Sequence, residues 1–416
     1  MFFLYQIIVS ALLLISPVII IYRILKNKED SKRFLEKFSI SSEKKGKGKL
    51  IWFHGASVGE IMSIIPLIKY YEKNKSINQI LITSSTLSSS KIIKKFKFKK
   101  TIHQFYPVDH FLLTNNFLDH WKPSLAIFIE SEIWPYMFKN LKDKKIPLIL
   151  LNARITKKTF NRWSKISFFS KLIFGMITVA YPQNLETKYF LKKIKTKKIN
   201  RIGNLKFAEN PEENFKIKNK KLKSELSKNK IWVASSTHKN EEIFCANAHK
   251  ELKKKNKNLI TIIIPRHVHR ANEIALEMKK INLNVAYHSS KIQTLKNIDI
   301  YIVDTFGETK LFHKISSTVF LGGSIIKRGG QNPLEAARLG SKILHGPNTD
   351  NFKDVYKHLE LLNIAKKINT PLQLASSIVF KKNKNSGKKI KKIGQKILNK
   401  TIKELDNLIN NEYKKT

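Results

Sequence analysis

The hydrophobic residues of this 416-residue chain fall into short runs that alternate with polar segments. Each run is rich in β-branched residues and precedes a segment of helical periodicity or a Lys-rich loop. This alternation predicts repeated strand and helix units around mostly parallel sheets. A first set of predicted strands comprises residues 49–55, 79–85, 125–130, 146–152 and 176–182. A second set comprises residues 230–236, 259–267, 283–289, 298–305, 317–324 and 341–347.

A polar stretch at residues 207–230, almost free of β-branched residues, separates the two sets and predicts a domain boundary. The sequence therefore predicts an α/β protein with two Rossmann-like domains, whose site lies between the carboxyl ends of the two sheets. Apolar residues at helical spacing in the Lys-rich tail predict a final helix lying on one domain. The predicted segments are an N-terminal domain at 34–210, a C-terminal domain at 228–380 and a basic helix at 381–416.

The first 22 residues carry no charge, and about 20 apolar residues of helix are enough to cross a bilayer. Neither a basic start nor a small-residue cleavage site, the marks of a secretory signal, is evident. Basic residues follow from Arg23 onward, so the positive-inside rule places the rest of the chain in the cytoplasm. Residues 1–22 are therefore predicted to be a single-pass transmembrane anchor, with a buried or interfacial helix as the alternative.

The formal net charge is +48, from 79 Lys and Arg against 31 Asp and Glu. Such an excess usually attracts polyanions, including nucleic acids. Only nine of these basic residues are Arg, however, and the lysines are spread along almost the whole chain. Proteins that read bases and phosphates favour the bidentate Arg side chain and cluster it. We therefore expect no nucleic-acid partner, although a nucleic-acid-binding protein is the reading that charge alone would suggest.

The numbers of cysteines and glycines limit the kinds of site that the chain can contain. The single cysteine, Cys245, excludes a disulfide framework and any Cys-rich zinc or iron–sulfur site, and it fits a reducing compartment. Seven of the 15 glycines lie within residues 307–346. Because a chain poor in glycine uses it where backbone geometry requires it, this region is a candidate site.

Candidate catalytic residues lie in three motifs of the first predicted domain. Glu60 ends the motif GASVGE, where Ser57 and Glu60 also have the spacing of a helix capping box. Its carboxylate is therefore either a cap or a general base. Glu130 and Glu132 in ESEIWP lie two residues apart and point the same way from an extended segment, which favours a functional pair over exposed strand-end acids. Lys206 in GNLKF has no feature that distinguishes it from a solvated lysine.

The second set carries motifs suited to binding a phosphate. They are SSTHKNEE at 235–242, PRH at 265–267, DTFGE at 304–308 and GGSIIKRGGQNPLEAARLG at 322–340. Asn332 is a good N-cap, Pro333 suits the first helical position and Glu335 has the capping-box position, so a helix is predicted to begin there. Its N–H groups and the Gly-rich approach predict an anion site, although plain capping explains the same residues. The chain has neither a Walker loop nor a GxGxxG after its first strand.

The ordered motifs resemble those of the Kdo transferases, which move 3-deoxy-D-manno-octulosonic acid (Kdo) from CMP-Kdo to the lipid A precursor in lipopolysaccharide assembly. The motifs that carry the resemblance are HGASVGE, ESEIWP, LNARIT, GNLKF, ASSTHKNEE, PRH, DTFGE, FLGGS, RGGQNPLEAARLG and GPNTDNF, within residues 1–352. The resemblance implies the GT-B glycosyltransferase fold, in which two Rossmann-like domains enclose a central cleft. It also implies that the first domain binds the acceptor and the second binds the CMP-sugar.

Residue roles follow from the same resemblance. It implies that Glu60 is the catalytic base and that Glu130 and Lys206 stabilise the transition state. The CMP-binding residues that it implies are Pro265, Arg266, Phe306, Gly307, Glu308, Asn332, Pro333, Leu334 and Glu335. Three positions depart from the family, which commonly has His in place of Gln331 and Asn348 and Met in place of Phe306.

The predicted function is transfer of Kdo from CMP-Kdo to lipid IVA. Arg266 and the helix after Asn332 suit stabilisation of the leaving phosphate, and by analogy Glu335 accepts hydrogen bonds from the ribose. No Asp-x-Asp motif is present, so we expect no required metal and no cofactor. A different membrane-anchored GT-B glycosyltransferase is the alternative, but it would lack the paired SVGE and ESEIWP motifs.

The implied acceptor is an anionic glycolipid, and two further segments have the composition of membrane-binding surfaces. Residues 157–176 combine cations with Trp and Phe, which is typical of an interfacial helix, although a plain packing helix has a similar pattern. Residues 91–100 form a second basic and aromatic patch. The expected location is the bacterial inner membrane, with the catalytic domains in the cytoplasm.

Overall fold

Two parallel β-sheets, one in each of two units, form the framework of the protein. The computed structural model describes residues 1–209, 220–290 and 294–413. Residues 210–219 of the predicted domain boundary and the last three residues of the predicted basic helix lie outside the described part. The first unit comprises Met1–Asn210 and Gly394–Thr416, and the second comprises Pro211–Ile393.

The sheet of the first unit has six parallel strands in the order β3-β2-β1-β4-β5-β6. Its strands are β1 (Leu50–His54), β2 (Gln79–Ser84), β3 (Thr101–Phe105), β4 (Leu125–Ile129), β5 (Leu148–Ala153) and β6 (Val179–Pro182). Strands β1 and β4 are neighbours, and the strand order reverses between them. In open parallel sheets, ligands bind outside the carboxyl ends of the strands at such a reversal.

Helices cover both faces of this sheet. The helices of this unit are α1 (Phe2–Leu25), α2 (Val58–Lys73), α3 (Leu87–Lys95), α4 (Phe111–Trp121), α5 (Pro135–Asp143), α6 (Lys157–Lys165), α7 (Ser167–Phe174) and α8 (Leu185–Lys193), with 3₁₀ turns at Phe34–Phe38 and Leu205–Ala208. Alternate residues of β1 point into two separate cores, with Leu50 and Trp52 in one and Ile51 and Phe53 in the other. This burial on both sides explains why the strands appear in the sequence as continuous apolar runs.

The sheet of the second unit has seven parallel strands in the order β13-β12-β11-β7-β8-β10-β9. Its strands are β7 (Lys230–Thr237), β8 (Leu259–Pro265), β9 (Val285–Tyr287), β10 (Ile300–Ile302), β11 (Thr318–Leu321), β12 (Lys342–His345) and β13 (Ala365–Lys367). Its helices are α9 (Lys220–Ser227), α10 (Glu241–Lys253), α11 (Ala271–Lys280), α12 (Thr309–Ile315), α13 (Leu334–Arg338), α14 (Lys353–Leu361) and α15 (Pro371–Ser377), with 3₁₀ turns at Val268–Arg270 and Asp350–Phe352. The strand order reverses between β7 and its neighbour β11.

Two strands do not follow from the sequence pattern. Strand β3 contains His103 and Gln104, which are buried but hydrogen-bonded to Ser84 and Trp121. Strand β13 is a three-residue edge strand that ends in two exposed lysines. Neither segment has the apolar composition that identifies the other strands.

The last helix, α16 (Lys384–Tyr413), contributes to both units rather than lying on one. From Gly394 onward it is part of the first unit, where Leu405 is fully buried. The hydroxyl of Tyr71 donates to Asp406 and that of Tyr181 donates to Glu404, each at 3.0 Å. The sequence prediction of a helix was correct, but its placement on a single domain was wrong, because its two ends pack in different units.

Helix α1 has a mean hydropathy of 2.5 over its most apolar window and exposes most of its side chains. Its first turn packs on the first unit: the Tyr5 hydroxyl donates to Asp109 at 2.7 Å, and the hydroxyl of Tyr136 donates to the carbonyl of Phe2 at 3.0 Å. Near its other end, Arg23 forms an ion pair with Glu29 at 3.0 Å. The start of α1 is thus docked on the first unit, whereas a helix that crosses the bilayer once would hold only its cytoplasmic end there.

Candidate active site

The predicted catalytic residues meet at the carboxyl edge of the first sheet. Glu60 follows β1, and Glu130 and Glu132 follow β4, the neighbouring strand at the reversal of strand order. Lys206 lies in the 3₁₀ turn Leu205–Ala208 and reaches the same edge by pairing with Glu130. The structure thus places residues that are distant in sequence at the position where an α/β sheet binds ligands.

Glu60 occupies the first turn of α2 and completes the predicted capping box. The Ser57 side chain accepts a hydrogen bond from the N–H of Glu60, and the Glu60 carboxylate accepts the N–H of Ser57. Its Oε2 also accepts the N–H of Ala56 at 2.6 Å. Gly55 makes room for this carboxylate, because a Cβ there would lie 3.1 Å from the Glu60 Cβ. Capping therefore fixes the orientation of Glu60 and does not exclude a role in proton transfer.

The surroundings of Glu60 make it a weaker acid than an ordinary glutamate. Burial raises the pKa of Glu60 to about 7 from an ordinary value of 4.5, and the like charges of Glu132 and Glu130 act in the same direction. The N–H groups of Ser57 and Ala56 act in the opposite direction. A carboxylate with a pKa near neutrality is suited to accept a proton under physiological conditions.

Glu130 is buried and has a left-handed backbone conformation, with φ of 57°. Its Oε1 lies 2.6 Å from the Lys206 Nζ, and both side chains are largely shielded from solvent. Asn152 connects the two, since its amide donates to Glu130 at 3.5 Å and its Oδ1 accepts the N–H of Leu205 at 3.0 Å. Asn152 lies in an otherwise apolar strand, so its sequence context gives it no predicted role.

Glu132 belongs to a chain of buried polar groups. Its Oε2 accepts hydrogen bonds from His54 Nε2 at 3.1 Å and from Trp134 Nε1 at 3.0 Å. On the other side of the ring, His54 Nδ1 lies 2.9 Å from the Thr83 hydroxyl, which accepts the indole N–H of Trp52 at 2.9 Å. Burial lowers the pKa of His54 despite the nearby Glu132. The signal for His54 in the sequence is a histidine at the end of an otherwise apolar strand.

The residues predicted to bind CMP follow three strands of the second sheet. Pro265 ends β8, and the exposed Arg266 follows it, donating its backbone N–H to Thr237 at 2.9 Å. Phe306 is 85% exposed after β10, next to Gly307 with φ of 90°, and Glu308 precedes α12. Because these strands are parallel, their following loops lie at one edge of the sheet.

The remaining predicted residues surround the start of α13, which begins at Leu334 and has five residues. The helix starts one residue later than predicted: Pro333 is its N-cap, no side chain caps it, and the Oδ1 of the preceding Asn332 accepts the N–H of Leu334 at 3.1 Å. The Glu335 carboxylate lies 3.6 Å from His313 Nδ1. Although burial acts in the opposite direction, His313 and nearby cations lower the pKa of Glu335, so this carboxylate is an acceptor at neutral pH.

The Gly-rich segment before α13 was predicted to bind an anion, but its backbone N–H groups bind a side chain of the protein itself. The buried Glu241 carboxylate accepts the N–H groups of Gly323, Ser324 and Ile325 at 2.6 to 3.0 Å. Gly322 is essential to this packing, since a Cβ there would lie 2.4 Å from the carbonyl oxygen of Ser236. Because Glu241 occupies these three amides, they are not available to a phosphate.

Comparisons with known proteins identify relatives of this chain. A family model described as 3-deoxy-D-manno-octulosonic-acid transferase matches residues 32–209. A 3-deoxy-D-manno-octulosonic acid transferase of Rickettsia bellii is 35% identical over 394 residues, which cover 93% of this chain and 92% of the relative. A probable mitochondrial 3-deoxy-D-manno-octulosonic acid transferase of Arabidopsis thaliana is 33% identical over 381 residues, which cover 88% of this chain and 85% of the relative.

A solved glycosyltransferase from Rickettsia africae has a TM-score of 0.53 and 12% identity to this chain. The match covers 89% of this chain and 100% of the solved chain. The two proteins therefore share a fold of two parallel-sheet α/β units. This is the GT-B architecture that the sequence predicts. The fold alone does not identify the family, but the identity of 33% to 35% with these relatives over most of the chain does. The chain therefore belongs to the family of 3-deoxy-D-manno-octulosonic acid transferases.

Proposed function

We propose that this protein transfers Kdo from CMP-Kdo to the lipid A precursor lipid IVA, with Glu60 as the general base. Membership of the family makes the chain a glycosyltransferase of lipopolysaccharide biosynthesis that transfers Kdo. The observation that carries the finer proposal is the position of Glu60. It is a half-buried carboxylate with a pKa of about 7, fixed by backbone donors at the strand-order reversal of the first sheet.

The reaction that this geometry supports is a direct displacement. A hydroxyl oxygen of the acceptor forms a bond to the anomeric carbon of Kdo while the bond from that carbon to the CMP phosphate oxygen breaks. The hydroxyl proton passes to Glu60, and CMP leaves with the electron pair of the broken bond. Because glycosyl transfer proceeds through an oxocarbenium-like state, charge must be stabilised on both the sugar and the leaving phosphate.

Glu130 and Lys206 are proposed to stabilise this transition state together. A buried carboxylate 2.6 Å from the ammonium fixes Lys206 in one position, so its charge needs no reorganisation when the reaction begins. Asn152 holds both the carboxylate and the turn that carries Lys206. Removal of any one of these three side chains would therefore disturb the other two.

The donor is proposed to bind at the carboxyl edge of the second sheet. Arg266 is exposed and can reach an anionic phosphate, and the first turn of α13, which follows β11, offers further N–H groups. Glu335, held as an acceptor by His313, suits the ribose hydroxyls. The proposed CMP contacts are Pro265, Arg266, Phe306, Gly307, Glu308, Asn332, Pro333, Leu334 and Glu335.

Membrane association follows from the long apolar helix α1, and we propose the cytoplasmic face of the bacterial inner membrane as the location. The first unit adds a further exposed apolar group, Phe168, which is 79% exposed at the start of α7. Basic side chains at Arg162 and Lys165 lie in the preceding helix, α6, which has no buried residue. Such a mixture of aromatic and basic residues attaches a protein to an anionic surface.

The single-pass orientation predicted from the sequence would require Phe2 and Tyr5 to leave Tyr136 and Asp109. Cysteine labelling decides between the two arrangements, with single cysteines placed at Leu14 and at Phe3 in spheroplasts. A membrane-impermeant reagent added outside labels position 3 only if the helix crosses the bilayer. Protection of both positions from that reagent supports a helix lying on the cytoplasmic surface.

The test of the proposed function is incubation of the purified protein with CMP-Kdo and lipid IVA, followed by mass spectrometry of the lipid. A mass increase of one or more Kdo units is expected, and the same assay counts them. Release of CMP without a modified lipid, or transfer to a different acceptor only, would overturn the proposal in favour of another GT-B activity. Retention of full activity in Glu60→Gln would reject the assignment of the base.

A further inference from the structure

A buried hydrogen-bond chain ends next to Glu60 and has no part in the mechanism above. It runs from the Trp52 indole through the Thr83 hydroxyl and the His54 ring to the Glu132 carboxylate. Trp52, Thr83 and His54 are completely shielded from solvent. Buried polar groups are retained at a cost in free energy, so a fully paired chain of this length calls for an explanation.

The direction of each hydrogen bond follows from the chemistry of its atoms. An indole N–H only donates, so Thr83 accepts from Trp52 and is free to donate its own proton to His54 Nδ1. A carboxylate only accepts, so His54 must carry its proton on Nε2, the atom that contacts Glu132. Burial lowers the pKa of His54, so the ring is neutral when it makes both bonds.

The two carboxylates that flank Glu60 differ in the groups that contact them. Glu130 is neutralised by the ammonium of Lys206 at 2.6 Å. The two groups that contact the Glu132 oxygen, His54 and Trp134, are both uncharged donors. The Oε2 of Glu132 thus meets two uncharged donors where Glu130 meets an ammonium, and Glu132 raises the pKa of Glu60 more strongly than Glu130 does.

We propose that His54 and Glu132 are positioning residues, in which a neutral histidine fixes an anion beside Glu60 and thereby makes Glu60 a stronger proton acceptor. This proposal rests on the proposed function, since it assumes that Glu60 is the base. A general base works best when its proton affinity matches the working pH. A nearby fixed negative charge raises that affinity without contacting the substrate.

Other groups near Glu60 also affect its proton affinity. The N–H groups of Ala56 and Ser57 favour the ionised form of Glu60, whereas Glu130 disfavours it, although less strongly than Glu132 does. Tyr106 stacks on His54 with ring centroids 3.9 Å apart. Burial keeps the pKa of Tyr106 well above its ordinary value, so its hydroxyl carries no charge near neutral pH.

The decisive variant is Glu132→Gln. Both donors meet the same oxygen of Glu132, so the single carbonyl oxygen of a glutamine can accept both hydrogen bonds. The substitution therefore removes the charge and keeps the contacts. The companion variants are His54→Ala, which removes the donor, and His54→Gln, whose amide can still donate to Glu132.

The measurement is the pH profile of kcat/KM for Kdo transfer, whose acid limb reports the base of the free enzyme. The wild-type limb is expected near pH 7, the pKa of Glu60. In Glu132→Gln and His54→Ala it should move to lower pH by roughly 0.5 to 1 unit, with His54→Gln between these variants and the wild type. The titration of Glu60 is also followed directly by ¹³C NMR of labelled glutamate side chains, with Glu60→Gln as the assignment control.

The second unit offers a matched control. His249 lies between the Thr261 hydroxyl at 2.8 Å and Asp299 at 3.4 Å, and it is as fully buried as His54. His249→Ala removes the same kind of buried hydrogen-bond chain from a different sheet. It should lower the melting temperature as His54→Ala does and leave the acid limb where it was.

Two outcomes would overturn the proposal, and they are distinguishable. An unchanged acid limb and an unchanged Glu60 titration in Glu132→Gln, with Glu60→Gln inactive, would overturn the positioning role and leave the base in place. Wild-type activity in Glu60→Gln would remove the base and this proposal with it. If His54→Ala does not fold, the two measurements on Glu132→Gln decide the question.

Discussion

The Lys206 ammonium lies 2.6 Å from Glu130 Oε1, and the two side chains are 13% and 6% exposed. Lys144 and Asp119 have the same separation, but the Asp119 side chain is 54% exposed. The two ion pairs thus share a distance and differ in solvent access. Breaking a pair by removing one partner is costly only when the remaining charge stays buried.

Lys206→Met should therefore lower the free energy of unfolding by about 3 kcal/mol, because it leaves Glu130 buried without its cation. Lys144→Met should change it by less than about 1 kcal/mol. Urea denaturation followed by circular dichroism measures both. Kdo transfer should also fall in Lys206→Met and stay near the wild-type rate in Lys144→Met. Equal losses of stability in the two variants would contradict the prediction.

Glu60→Gln should stabilise the protein at alkaline pH. The folded state raises the pKa of Glu60 to about 7 from 4.5, so the folded protein binds this proton more tightly than the unfolded chain does. The resulting stability is present below pH 4.5 and is lost as the pH rises through 7. A glutamine cannot ionise and can keep the capping-box contact.

At pH 8 the free energy of unfolding of Glu60→Gln should exceed that of the wild type by about 2 kcal/mol, after a reduction for partial exposure. This difference should disappear near pH 4.5. Thermal melting at a series of pH values measures it. Activity should fall by a factor of about 10² to 10⁴ in the same variant. A stability difference that does not vary with pH would argue against the raised pKa.

Replacement by alanine should have opposite effects on the free energy of unfolding at Gly55 and at Gly59. A Cβ on Gly55 would lie 3.1 Å from the Glu60 Cβ and 3.3 Å from the Ile61 Cδ1, so Gly55→Ala should displace Glu60 and reduce activity. A Cβ on Gly59, inside α2, meets nothing within 4 Å. Gly59→Ala should therefore raise the free energy of unfolding by about 1 kcal/mol, whereas Gly55→Ala should lower it. Chemical denaturation of the two variants checks the opposite signs.

The membrane-binding surface of the first unit can be tested without α1. A protein lacking residues 1–25 should still float with vesicles that contain anionic lipid, and Phe168→Ser should weaken that binding several-fold, since Phe168 is 79% exposed. Phe306→Ser is the control, because Phe306 is similarly exposed but lies in the second unit. Failure of the shortened protein to bind anionic vesicles would reject the surface.

The sequence predicts the features that depend on neighbouring residues. The capping box of Ser57 and Glu60 needs only a spacing of three, and it is present in the structure. Most strands are recognisable because burial on both faces demands continuous apolar runs. Strand β3 is not, because its buried His103 and Gln104 are paired with distant residues, which no local pattern reports.

The site is only partly predictable for the same reason. Motifs and resemblance identify Glu60, Glu130 and Lys206, yet their shared edge of the sheet follows from the strand order. The bond between His54 and Glu132 joins residues 78 positions apart. The amides after Gly322 resemble a phosphate site in sequence, but an internal carboxylate, Glu241, occupies them. Such pairings depend on tertiary structure alone.

The division of α16 between the two units has a consequence for biosynthesis. A ribosome makes the first unit's sheet early, but the segment that carries Leu405 and the partners of Tyr71 and Tyr181 emerges only after the second unit. The second unit ends at Ile393, before the part of α16 that completes the first unit. The first unit must wait, with the surface of α2 that receives α16 uncovered, until the segment from Gly394 onward is available to pack on it. Nascent chains of this protein are therefore most vulnerable to chaperone capture and proteolysis through their earliest-made half.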